Sequence, residues 1–348
     1  MSLKFPKYKV AAVQAEPVLL DLDASLEKAI KLIEAAADEG AELIVFPEAF
    51  LPIYPFWTAF CSGGYEYAPL KKAYARLYKN SVEIPGSETR ALGQAARKAK
   101  AIVVMGVNER DIKHSGTLYN TIIYFGKAGE IFGTHRKLVP TYHERMIWGR
   151  GDGTDLKVYE TELGRIGGLI CWENFMPLAR YALYAQGVQI YVAPTADDTE
   201  NWLAAMQHIA FENRMYVIPV SPILKIDSLP KDFELRKDLE KYKGKQMQFG
   251  TTAIIGPNGK FLAGPLWNDE SILYAEIDLE KVYEERSRFD PVGHYGRPDV
   301  FELYVNGELC STLSNVLETV PAKMSLAENG RAKNVGKRKL QRSVKRNG

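Results

Sequence analysis

Apolar and polar positions follow two rhythms along the chain. Strand-length apolar runs recur at 8–17 (YKVAAVQAEP), 41–50 (AELIVFPEAF), 101–111 (AIVVMGVNERD), 165–173 (RIGGLICWE), 188–198 (VQIYVAPTADD) and 215–223 (MYVIPVSPI). Between them lie stretches with apolar residues every three or four positions, which predict helices over 23–40, 87–100, near 177–187 and over 199–214. Asp23 reads as an N-cap and Gly40 as a stop signal for the first of these. Residues 116–137 and 249–267 read as hairpins around Lys127–Glu130 and Pro257–Lys260, and a strand over 271–282 closes the series. The alternation predicts an α/β fold, and the hairpins predict mixed rather than wholly parallel sheets. The strands are too many for one helix-covered sheet, so two stacked sheets with helices outside are expected. Residues 225–247 are densely charged and break the rhythm; they read as a surface insertion with some helix.

Composition narrows the class. With 46% hydrophobic and 25% charged residues, the 348-residue chain can bury a large core without covalent staples. Three widely spaced cysteines (Cys61, Cys171 and Cys310) argue against a disulfide framework. There is no signal-like leader and no bilayer-length apolar run, so a cytoplasmic protein is expected. The net charge of +2 hides an asymmetry: residues 323–348 hold nine Lys/Arg against Glu328, leaving 36 basic and 42 acidic groups elsewhere. The expected division is a main domain over 1–305, whose end is set by the resemblance described below, and an extension over 306–348 ending in a basic, disordered tail. A nucleic-acid-binding function is the alternative from another class. The tail lacks the aromatic residues that stack on bases, which counts against it.

Candidate chemistry collects at strand ends, where open α/β sheets form their crevices. Glu48 ends the second apolar run, Lys137 follows the first hairpin, Glu144 lies seven residues later, and Cys171 ends the run at 165–173. A thiol, two acids and a cation suggest covalent catalysis. A free thiol is mostly protonated at neutral pH and needs a base, for which Glu48 is the candidate; Lys137 can stabilise the anion formed after attack. The five histidines show no metal-ligand spacing, so no metal is expected, and no phosphate-loop or dinucleotide fingerprint occurs.

FPEAFLPIYP around Glu48, HRKLVPTYHERMIWGRGDG around Lys137 and Glu144, and GGLICWENFMPLARY around Cys171 resemble the Glu–Lys–Cys motifs of the nitrilase superfamily. Similar segments extend from about residue 8 to about 305. The resemblance implies an α-β-β-α four-layer sandwich, a catalytic set of Glu48, Lys137, Glu144 and Cys171, no cofactor, and assembly into homo-oligomers, either dimers or spirals. The helix over 199–214 and the insertion over 225–247 are candidate interfaces. Trp172-Glu173-Asn174 after the cysteine is similar to true nitrilases, which convert organic nitriles to carboxylic acid and ammonia; cyanide hydratases and aliphatic amidases of the superfamily are the alternatives. Tyr54, Trp172 and Thr195 are the candidate substrate-binding residues, with Phe56 and Trp57 as further aromatic lining or as core. Glu173 is expected to be a structural or interface hydrogen-bonding group.

Overall fold

The computed structural model describes residues 5–307 apart from 62, 64 and 65, so the expectation for the basic tail lies outside the described residues. Each apolar run forms a strand whose alternate side chains face opposite layers. The first sheet contains β1 (Lys7–Gln14), β2 (Ala41–Val45), β3 (Ile102–Arg110), β4 (Leu118–Phe125) and β5 (Ile131–Arg136). The second contains β6 (Tyr159–Thr161), β7 (Gly164–Gly168), β8 (Ile190–Pro194) and β9 (Tyr216–Val220). A short ribbon pairs β10 (Ile223–Lys225) with β11 (Gln246–Phe249). β12 (Thr252–Ile255) and β13 (Phe261–Leu266) then complete the second sheet, and β14 (Ser271–Asp278) returns to the first. The strand orders are β14-β1-β2-β3-β4-β5 and β13-β12-β9-β8-β7-β6. In each, a parallel trio (β1-β2-β3 or β7-β8-β9) is flanked by antiparallel strands, giving the expected mixed sheets.

Leu43 and Val45 of β2 face Ile190 and Val192 of β8 across the inter-sheet core, whereas Ile44 and Tyr191 point to the outer layers. Each such side chain contributes about 1.5–3 kcal/mol by leaving water. The outer face of the first sheet is covered by α1 (Leu22–Asp38), followed in the chain by α2 (Ala68–Lys79), and by α3 (Ser87–Ala99). The outer face of the second is covered by α4 (Pro177–Ala185) and α5 (Glu200–Asn213). The layers are therefore helix, sheet, sheet, helix.

Local boundaries differ from expectation in four places. Asp21, not Asp23, caps α1: its extended backbone lets the carboxylate accept from the Ala24 N–H at 3.0 Å, while Asp23 lies in the first turn. Gly40 follows the helix at φ 84°, a conformation that suits a glycine stop. Helix α2 had no strong sequence signal because its buried face consists of only Ala73 and Leu77. Strand β7 ends at Gly168, and Cys171 instead opens a 3-10 turn over Cys171–Phe175. Residues 225–247 carry the expected helix and many exposed charges, but they also pack inward. They include the short helix α6 (Arg236–Leu239), and Leu229, Phe233, Leu235 and Leu239 are buried in one cluster with Phe56 and Trp57. The rings of Trp57 and Phe233 meet edge-on at 5.2 Å. The last helix, α7 (Glu280–Arg286), follows β14 and places Val282 in the inter-sheet core.

Candidate active site

The carboxyl ends of β2 and β5 in the first sheet and of β7 and β8 in the second lead into the segments that carry the candidate groups. Glu48 follows β2 through Phe46 and Pro47. Its segment lies so close to β3 that a Cβ on Gly106 would stand 2.1 Å from the Pro47 oxygen and 2.8 Å from the Ala49 nitrogen. Glycine is required there by close backbone approach. Lys137 follows β5, with its peptide N–H bonded to the Asn120 carbonyl of β4 at 2.8 Å. Cys171 stands beyond β7 in a left-handed conformation (φ 51°), a strain of about 1–2 kcal/mol for a non-glycine residue, held in place by the turn that follows.

The Lys137 ammonium is the hub. It lies 2.8 Å from Glu48 Oε1 and 2.7 Å from Glu144 Oε2, and all three side chains are buried. Asn120 Nδ2 donates to the same Glu48 Oε1 at 2.6 Å, whereas Glu48 Oε2 is buried without a hydrogen-bond partner. Glu144 is fixed by the Tyr54 hydroxyl on Oε1 at 2.8 Å and the Thr141 N–H on Oε2 at 2.7 Å. Cys171 Sγ accepts from the Thr195 hydroxyl at 3.2 Å, and Thr195 Oγ1 accepts in turn from the Asp197 N–H at 2.9 Å. Trp148 flanks Lys137 at 5.9 Å from ring centre to ammonium and is anchored through its indole N–H to Asn108 Oδ1 at 2.9 Å.

Burial and charge set the protonation states. Burial pushes the Cys171 thiol up and Glu48 and Glu144 push it further, outweighing Lys137 and the Thr195 hydroxyl. Burial raises Glu48 as well, opposed by Lys137 and by the Asn120 hydrogen bond. Burial alone would lower Lys137, but Glu48, Cys171 and Glu144 together hold it above its ordinary value. The resting thiol is thus neutral beside the Lys137 ammonium, and Glu48 Oε2, which has no hydrogen-bond partner, is placed to receive its proton. That arrangement supports nucleophilic attack with proton transfer inside a dry site. Among the described residues, no group of three or more His, Cys, Asp or Glu could hold a metal ion.

The Carbon-nitrogen hydrolase family model matches residues 9–287. The chain belongs to the carbon–nitrogen hydrolase family. A nitrilase of Bradyrhizobium diazoefficiens is 43% identical to this hydrolase over 89% of the chain and 95% of its own length. A bifunctional nitrilase/nitrile hydratase of Nicotiana tabacum is 40% identical over 89% of each chain. The crystal structure of Saccharomyces cerevisiae Nit3, a member of branch 10 of the nitrilase superfamily, shares the fold with a TM-score of 0.67 at 24% identity, covering 84% of this chain and 98% of that one.

The structure of this carbon–nitrogen hydrolase brings Glu48, Lys137, Glu144, Cys171, Tyr54 and Thr195 into one connected cluster. Phe56 and Trp57 are buried in the cluster that includes Phe233. The Trp172 indole is 50% exposed, donates to Asp197 Oδ2 at 2.7 Å and packs edge-on against Phe175. Asn174 Nδ2 donates to the Cys171 carbonyl at 2.7 Å and its Oδ1 accepts from the Tyr191 hydroxyl at 2.7 Å, so it braces the nucleophile turn. Sequence reasoning missed Asn120, Asn108 and Trp148. The only signal for Asn120 is its place on the strand paired with the one that ends at Lys137.

Proposed function

We propose that the protein is a nitrilase that hydrolyses an organic nitrile to the carboxylic acid and ammonia with two waters and no cofactor. The observation that carries this is the buried Glu48–Lys137–Glu144–Cys171 cluster in a chain about 40% identical to curated nitrilases over most of its length. A nitrile carbon sits at the end of a slim linear group, which suits a thiol only 4% exposed.

Cys171 Sγ bonds to the nitrile carbon as Glu48 Oε2 takes the thiol proton and returns it to nitrogen, forming a thioimidate. Water adds to the same carbon, its proton passing through Glu48, and gives a tetrahedral species that carries sulfur, nitrogen and oxygen. Protonation of nitrogen and cleavage of the C–N bond release ammonia and leave a thioester. A second water attacks it, the C–S bond breaks, and the thiol recovers its proton as the acid departs. Lys137 stabilises the charge that develops on nitrogen and oxygen, Glu144 orients Lys137, and the Trp172 peptide N–H assists. If the C–S bond of the tetrahedral species breaks first, the product is an amide. The double activity named for the tobacco relative supports a measurable amide fraction here.

Thr195 and the partly exposed ring of Tyr54 border the substrate, with Trp172 at the rim. The proposal extends to a reducing, cytoplasmic setting, which the free thiols of Cys61 and Cys171 suit. Among the described residues, no helix is long and apolar enough to cross a membrane. It also extends to a homo-oligomer, which the exposed Leu178 and Tyr181 on α4 support. The test is detection of ammonia and carboxylate from aliphatic, aromatic and arylacetonitriles, with cyanide and amides alongside and C171A as control. Equal ammonia and carboxylate from nitriles, lost in C171A, is the expected result. Ammonia from amides alone overturns the proposal in favour of an amidase, and turnover of cyanide alone in favour of a cyanide hydratase.

A further inference from the structure

Glu173, next in sequence but one to Cys171, takes no part in the hydrogen bonds around the Lys137 ammonium, yet it touches the backbone on both sides of the site. Its Oε1 accepts from the Leu138 N–H at 2.5 Å, one residue past Lys137. Its Oε2 accepts from the Ile170 N–H at 2.7 Å, one residue before Cys171. His135 Nε2 lies 3.0 Å from the same Oε2, and His135 Nδ1 lies 3.2 Å from Asp155 Oδ1. Asp155 Oδ2 in turn accepts from the Arg136 N–H at 2.8 Å. Glu173 and His135 are both buried. One carboxylate therefore ties the end of β5 in the first sheet to the nucleophile turn of the second, and a histidine two residues before Lys137 holds that carboxylate in place.

We propose that Glu173, held by His135, is a positioning residue that fixes the Lys137 ammonium against the Cys171 sulfur and so decides which bond of the tetrahedral intermediate breaks. This rests on the nitrilase reading above. Breaking C–N requires a proton delivered to nitrogen, and the departing fragments are ammonia and the thioester. Breaking C–S sends the electron pair to sulfur, which leaves as thiolate, takes up a proton and frees the amide. Sulfur can leave unprotonated because a thiolate is a weak base, whereas nitrogen would have to leave as a strongly basic amide anion. The acid-forming branch is thus the one that depends on exact placement of proton donors and cations, and a loosened tie diverts flux to amide.

The test uses the full-length enzyme and E173Q. Both carboxylate oxygens accept backbone N–H groups, and a carboxamide has only one acceptor oxygen, so glutamine must leave one arm of the tie opposed donor to donor. The expected result is an amide-to-acid ratio raised about tenfold, as for loss of one charge-assisted hydrogen bond, with kcat lowered and KM within about threefold of the parent. E173D, which keeps two acceptors and the charge, should recover most of the parent ratio. The ratio is set within each folded molecule and does not depend on the fraction folded, so a merely structural role would lower activity without moving it. An unchanged ratio in E173Q overturns the inference, whatever its stability. If E173Q yields no soluble protein, H135N carries the test with the same expected direction and the same refuting result. Failure of the parent enzyme to release ammonia and carboxylate from nitriles is a separate outcome, which overturns the nitrilase reading itself.

Discussion

Replacing Asn120 by alanine isolates the tuning of the proposed base. Asn120 Nδ2 donates to Glu48 Oε1 at 2.6 Å, and its own Oδ1 is buried without a partner, so truncation removes one donor from Glu48, which keeps Lys137, and strands no other group. The backbone carbonyl that holds the Lys137 N–H is retained. A hydrogen bond to a buried carboxylate is worth about 1.5–3 kcal/mol, which is roughly one to two pKa units of differential stabilisation of the ionised form. Burial already raises Glu48 and Asn120 opposes that rise, so N120A should raise it further. Glu48 must be ionised to accept the thiol proton, and the acid limb of the kcat/KM profile should therefore move to higher pH by about one to two units. Initial rates of ammonia release across the pH range, with a thermal melt of each variant, measure this. An acid limb that stays in place in a folded N120A enzyme refutes the assignment of Glu48 as the base under Asn120 control.

Y54F removes the hydroxyl bonded to Glu144 Oε1 and should lower kcat about tenfold through a less well fixed Glu144, as steady-state kinetics would show, with little change in melting temperature. G106A drives a methyl group against the Glu48 segment; it should cost about 1–3 kcal/mol in a denaturant titration and lower activity at the same time. His135 is lowered by burial but raised more by Glu173 and Asp155, reaching about 10 from an ordinary 6.5. The folded form binds this proton more tightly than the unfolded chain, so its stabilisation is complete below about pH 6.5 and is lost as pH rises through about 10. At ~1.36 kcal/mol per unit this amounts to at most about 5 kcal/mol, and H135N should flatten that part of the stability profile measured by denaturant unfolding.

The layers of the fold were legible because strand alternation and helical periodicity both depend on simple burial. The run that includes Leu43, Ile44 and Val45 reads as a strand because it is short and continuously apolar, and the structure buries both of its faces. The reactive quartet was legible because charged groups and a thiol stand out against apolar strand ends. Asn120 was not, since a neutral amide within a strand carries no charge signal and its role exists only through a partner 72 residues away. Residues 225–247 misled because Leu229, Phe233, Leu235 and Leu239 are scattered among lysines and acids at no regular period, yet tertiary packing buries them all. Thr195 and Tyr54 were visible as neighbours of the site, but their hydrogen-bond partners depend on the sandwich being closed.

The two sheets share the proposed reacting groups between them: the proposed base, cation and second acid belong with the first, and the thiol and Thr195 with the second. Neither sheet carries a complete set, so until the sheets are stacked the cysteine stands apart from its proposed base. Closure of the sandwich acts as a safety interlock. The thiol meets its proposed base only when Leu43, Val45, Ile190 and Val192 are packed together between the sheets. Nitrile turnover consequently serves as a ruler for inter-sheet slip, sensitive to core substitutions far from any substrate.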